Sequence, residues 1–171
     1  MGELCRDRKA SGTVSTHYKV IGRHANDHAP PSGNAMMLEL LARLFMITGD
    51  NACRSRAEAL FDAFAPELAR NLFPLAGLLN AYDFQTSAVQ IVIVGDKTAA
   101  NTVALLQVAH ASGDPNRLSV QSTGDTELPQ NHPAFGKRAK PGQAAAYVCR
   151  GQTCGLPITD AGALRAELGA N

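Results

Sequence analysis

The chain has 171 residues, 45% of them hydrophobic and 18% charged, with sixteen basic residues against fifteen acidic ones and a formal net charge of +1. That length fits one ordinary domain burying about 70% of its unfolded surface, and the balanced charge excludes a broad electrostatic surface for nucleic acid or anionic lipid. No run approaches the roughly 18 apolar residues of a membrane span, and the first thirty residues hold no apolar stretch of signal-peptide type, so the cytoplasm, or an organelle lumen reached by another signal, is the expected compartment.

In chain order, residues 1–31 are polar, weakly patterned and expected to be irregular, ending in Ala29-Pro30-Pro31. Proline disfavours helix before it and is tolerated at helix starts, so an element should begin just after Pro31, with Ser32 as N-cap. Met37, Leu40, Leu41, Leu44 and Ile47 recur at three- and four-residue steps and mark one helical face, widened by Met36 and Phe45. Gly49 fits a left-handed stop, and Asp50 can cap a second helix carrying Cys53, Ala57, Leu60, Phe61 and Phe64. Two helices joined by Gly-Asp make an antiparallel hairpin. Pro66 and Pro74 open shorter helical pieces, so residues 32–87 are read as helical hairpins.

The period changes at Val89-Gln90-Ile91-Val92-Ile93-Val94, a β-branched run that reads as a strand buried on both faces. A helix over Ala99–Ala111 should follow, with Val103, Leu106 and His110 or Ala111 in line, and then a second short strand over Leu118–Gln121. Strand, helix, strand predicts a parallel crossover. Residues 122–143 form a polar loop with three prolines, long enough that it is expected to wrap another surface or to be mobile. Ala145–Cys149 reads as a third strand, 150–153 as a hairpin turn, and Thr159 or Asp160 as the cap of a final helix through Leu168. The fold class is therefore mainly α with a small α/β part over 88–171, its short sheet mostly parallel.

Chemistry-bearing positions are few. Asn26 to Asn34 gathers a carboxylate, an imidazole, a hydroxyl and an amide at a helix entrance. The preferred reading is that Ser32 or Asn34 caps the helix and Asp27 braces the preceding loop; the functional one is that they hold a sugar hydroxyl or a carboxylate. Gly95-Asp96 stands at a strand–helix junction, where α/β folds bind phosphates, yet neither a G-x-G-x-x-G nor a P-loop accompanies it, so no nucleotide site is expected. Lys137, Arg138 and Lys140 read as a solvated loop, and His110 as surface or core edge. Cys149 and Cys154 leave open a turn-bridging disulfide or half of a metal site. No second Cys/His pair completes a zinc set, so no metal is expected, and structural thiols are favoured over a redox pair. No triad or carboxylate pair is legible from spacing.

Three stretches share an order and spacing with a known family: residues 25–35 leading into the Leu-rich helix and Thr48-Gly49-Asp50, residues 90–96, and above all Ala146-Tyr147-Val148-Cys149-Arg150-Gly151-Gln152-Thr153-Cys154-Gly155-Leu156-Pro157. Over about residues 22–171 the chain resembles the C-terminal end of the thioredoxin domain-containing family typified by spermatogenesis-associated protein 20, whereas residues 3–21 depart from its pattern. The resemblance implies a thioredoxin-like domain, absent from this sequence, followed by a six-hairpin (α/α) toroid similar to sugar epimerases and glycosidases. This chain would supply the last hairpins and an α/β appendage, with the missing N-terminal part of the toroid as its partner and no activity alone. It further implies a carbohydrate-like small molecule in the intact protein, with Asp27 in catalytic proton transfer and Ser32 and Asn34 orienting hydroxyls, and no cofactor. A rival reading makes the protein a redox-linked, non-catalytic scaffold with Cys149 and Cys154 as its active thiols.

Overall fold

The computed structural model describes residues 25–111, 113–124 and 128–169; most of the segment expected to be irregular, residues 1–24, lies outside them. The chain divides into two compact units, one up to Thr86 and one from Ser87 onward.

The first unit is helical: α1 (Gly33–Thr48), α2 (Asn51–Asp62), α3 (Ala65–Arg70) and, after a 3-10 turn at Phe73–Leu75, α4 (Ala76–Ser87). Local chemistry sets each boundary of the first hairpin. The Ser32 hydroxyl accepts from Ala35 N at 3.2 Å and starts α1. Gly49 ends it at φ 67°, a conformation that costs a residue with a Cβ far more. Asp50 then caps α2 by accepting from Ala52 N at 2.9 Å. The core of this unit joins Leu38 and Leu41 of α1 to Cys53, Ala57 and Leu60 of α2, with Leu75, Leu78 and Ala81 closing it. Phe61 stacks on Tyr82 with centroids 3.8 Å apart, and the Arg43 guanidinium lies 4.2 Å over the Phe84 ring.

The buried side of α1 differs from the stripe predicted for it. Ala35, Leu38, Leu41 and Ala42 are buried, whereas Met36 (60% exposed), Leu40 (50%) and Ile47 face solvent. Of the predicted stripe Leu41 is buried and Met37, Leu44 and Phe45 pack against the core, so the buried face is turned only in part: α1 is apolar around most of its circumference, and the partner helix selects among neighbouring faces. The same rotation applies to α5 (Ala100–Ala111), which buries Thr102, Leu105, Val108 and Ala109 and leaves Val103 and His110 exposed.

The second unit carries a four-stranded sheet of order β2-β1-β3-β4, built from β1 (Val89–Val94), β2 (Arg117–Ser122), β3 (Ala145–Arg150) and β4 (Thr153–Cys154), and it ends in α6 (Ala161–Gly169). β1 is buried along its whole length, as its unbroken apolar run requires. It pairs in parallel with β2 across the α5 connection. The expectation of a mostly parallel sheet is corrected here: β1–β3 and β3–β4 are both antiparallel. The reason lies in the β2–β3 connection. Among its described residues it holds no crossover helix to carry the chain back, so β3 begins at the C-terminal end of β1, with Ala145 opposite Val94, and runs the other way. Asp160 caps α6 by accepting from Ala163 N at 2.7 Å.

Alternate residues of β1 serve two cores. Val89, Ile91 and Ile93 pack with Leu105 and Val108 of α5 and Leu164 and Leu168 of α6. Val92 and Val94 turn to the opposite face, where Ala134 of the β2–β3 connection covers them together with Tyr147 and Cys149. The loop that the sequence left as wrapping or mobile thus wraps the protein's own sheet.

Candidate functional site

Asp27 and Ser32 come together at the entrance to α1. Asp27 Oδ1 accepts from Ser32 N at 2.7 Å and Oδ2 from Gly77 N at 2.6 Å, while Asp27 N donates to Pro74 O at 2.7 Å. One carboxylate thereby joins the N-terminal ends of α1 and α4, elements far apart in the chain, and satisfies N–H groups that have no intrahelical partner. The fit is close: a Cβ on Gly77 would stand 2.8 Å from Asp27 Oδ1 and 3.2 Å from the Ala35 Cβ. Ser32 and Asn34 are buried, and the Ser32 hydroxyl is engaged by Ala35 N.

Cys149 and Cys154 are joined by a disulfide across β3 and β4, where they are directly opposite residues of the antiparallel register. Among the described residues no group of three His, Cys, Asp or Glu side chains is placed to hold a metal ion.

A crevice of about 300 Å³ opens at the C-terminal end of β1, walled by residues 94–96, 123–124 and 138–143. Each wall is held by its own bonds. Gly95 N donates to Ser122 O at 3.0 Å, and Gln121 Nε2 donates to Gly95 O at 2.9 Å. The Ser122 hydroxyl donates to Gly124 O at 2.8 Å and accepts from Gly124 N at 3.2 Å. Asp96 Oδ1 accepts from Thr98 N at 2.8 Å and from the Thr98 hydroxyl at 2.7 Å. Those two donors, the backbone one first, hold the Asp96 carboxyl below the usual carboxylate range. On the third wall the Tyr147 hydroxyl donates to Arg138 O at 2.6 Å. Lys140-Pro141-Gly142-Gln143 closes a turn with Gln143 N donating to Lys140 O at 2.9 Å; Pro in its second position and Gly142 at φ 74° suit a type II turn.

Sequence reasoning set aside each half of this crevice separately. Gly95-Asp96 carried no phosphate fingerprint, and Lys137, Arg138 and Lys140 looked like solvated charge. Only the antiparallel return of β3 brings the two together, and no local motif announces it. The Lys140-Pro141-Gly142 turn was the one available signal.

His132 is a further residue that spacing did not mark. It is buried in the strap over the sheet, where Nδ1 accepts from Ala134 N at 3.1 Å, Nε2 has no hydrogen-bond partner, and burial pushes its pKa down.

These features define a class: a helical-hairpin unit followed by a small mixed α/β unit, with no helix among the described residues long and apolar enough to cross a membrane. The particular family comes from similarity to curated proteins. Over 143 residues the chain is 35% identical to human spermatogenesis-associated protein 20 and 33% identical to the protein of that name from Rattus norvegicus. The Mus musculus protein is 32% identical over the same length. Over that stretch the chain is homologous to spermatogenesis-associated protein 20, the match taking in 81% of this chain and 18% of each relative. It thus spans about a fifth of the length of the curated relatives it matches. No family model and no solved structure matches it.

Proposed function

We propose that the helical unit serves as one wall of a larger helical assembly, an (α/α) toroid of the kind found in carbohydrate-active enzymes, with the α/β unit as its C-terminal appendage. One observation carries this reading: the apolar side of α1 that, among the described residues, no other helix of the unit covers. Met36 and Leu40 are at least half exposed there, and Phe73, on the 3-10 turn of the same unit, is 85% exposed. Large apolar side chains exposed on this scale suit a surface that another element covers. The small share of its relatives that the chain spans supplies room for that element. Any turnover of a carbohydrate-like molecule then belongs to the intact protein, with the first helical turns of this unit on the substrate side. Within that reading Asp27 and Ser32 position the wall, since their polar atoms hold α1 and α4 in place, and proton transfer falls to residues outside this chain.

Co-expression with the remainder of a spermatogenesis-associated protein 20 relative lacking the matching segment tests this. The two polypeptides should co-purify, and Leu40→Gln with Phe73→Gln should abolish it; independent migration of the unsubstituted pair refutes the reading.

The disulfide supports the second reading, a redox-linked scaffold. Thiol titration of the native protein discriminates: two thiols appearing together under mild dithiol reduction favour it, and a bond that opens only on unfolding removes it.

A further inference from the structure

We propose that the crevice at the end of β1 is a binding site for a small phosphate monoester that also carries free hydroxyls. Its place in the fold is the first reason. From β1 the chain crosses through α5 to β2 on one side and then returns to β3 on the other. The point where neighbouring connections diverge leaves an opening outside the strand's carboxyl end, and open α/β sheets bind ligands there. The volume, about 300 Å³, matches a small ligand.

The chemistry of the walls is the second reason. Arg138 and Lys140 stand two residues apart on a segment pinned by the Tyr147 hydroxyl on one side and by the Pro141-Gly142 turn on the other. Two cations presented by an anchored segment suit a doubly charged oxyanion, Arg by its fork of donors and Lys as a point charge. Asp96 lines the same crevice just beyond the end of β1, and both of its bonds to Thr98 fall on Oδ1. A carboxylate there opposes a compact bare anion and favours a ligand whose anionic end is separated from a hydroxyl that can donate to Oδ2. Gly95 is the third reason. A Cβ at this position would stand 2.6 Å from Thr102 Oγ1 and 2.9 Å from the Ala144 Cβ, so the crevice floor is bare backbone closely packed from below.

The site is independent of the toroid reading, and its test does not involve the helical unit. The full chain is titrated at low salt with glycerol 3-phosphate and with inorganic phosphate while backbone amide shifts are followed by NMR. Saturable shifts are expected at Gly95, Asp96, Gly124 and Gly142, with glycerol 3-phosphate binding more tightly than inorganic phosphate. Arg138→Gln with Lys140→Gln should weaken binding at least tenfold. Lys97→Gln, an exposed neighbour outside the crevice walls with the same change in charge, should alter it less than twofold. Asp96→Asn should erase the preference for glycerol 3-phosphate. Equal weakening by Lys97→Gln, shifts that map elsewhere, or a linear response without saturation overturns the proposal.

Discussion

Asp27 shows how a residue that looks catalytic in sequence can be explained by the groups around it. A carboxylate in a cluster of polar side chains at a helix entrance fits a proton donor, but both oxygens here receive backbone N–H groups from two different helices. Charge-assisted bonds of this kind contribute more than neutral ones. Asp27→Ala leaves the two N–H groups without their acceptor, and chemical denaturation should record a loss of about 2–4 kcal/mol. Gly77→Ala should destabilise the same node, because its Cβ would press on that carboxylate. His132 makes a prediction with a pH dependence. Burial lowers its pKa in the folded protein, so the unfolded chain takes up the proton first as pH falls. Stability is fully present above the unfolded value of about 6.5 and should decline below it, with a slope of at most about 1.4 kcal/mol per pH unit. Thermal melts between pH 8 and 5 check this, and His132→Asn, which can keep an acceptor near Ala134 N, should flatten the slope.

At the scale of elements, sequence and structure agree where a local rule is sufficient. Ser32, Gly49, Asp50 and Asp160 each announce a boundary that the backbone then makes, because a cap needs only its own side chain and the next few residues. The unbroken β-branched run of β1 likewise requires burial on both sides. The buried faces of α1 and α5 were legible only in part, since helices apolar on several sides leave the choice to their partners. The direction of β3 was hidden for a related reason: it depends on where the strap of residues 128–143 runs. Two substitutions about half a turn apart test the assignment of the α1 faces. Leu38→Ala should cost about 2–5 kcal/mol as a buried cavity, while Leu40→Ala should change stability by less than about 0.5 kcal/mol; equal effects would place the buried side elsewhere. For the strap, Tyr147→Phe removes only the hydroxyl that holds Arg138 O. It should cost about 1 kcal/mol and speed amide exchange in residues 134–143 before it affects β1.

On the scale of the whole molecule, two units and two kinds of surface stand out. The helical unit exposes apolar side chains on α1 and at Phe73, while the α/β unit covers both faces of β1 with its own helices and strap. The likeness to spermatogenesis-associated protein 20 was legible from the motifs around 25–35, 90–96 and 146–157. The crevice beside Gly95 was not legible, because its walls come from three segments far apart in the chain. The central claim is that the exposed side of the helical unit is made to be covered by further helices. The measurement that tests it most directly is binding of an apolar-surface dye by the purified chain, followed beside sedimentation. The account predicts dye binding or self-association that Leu40→Gln with Phe73→Gln reduces without lowering the thermal midpoint. A monomer with one sharp thermal transition and no dye binding would contradict it.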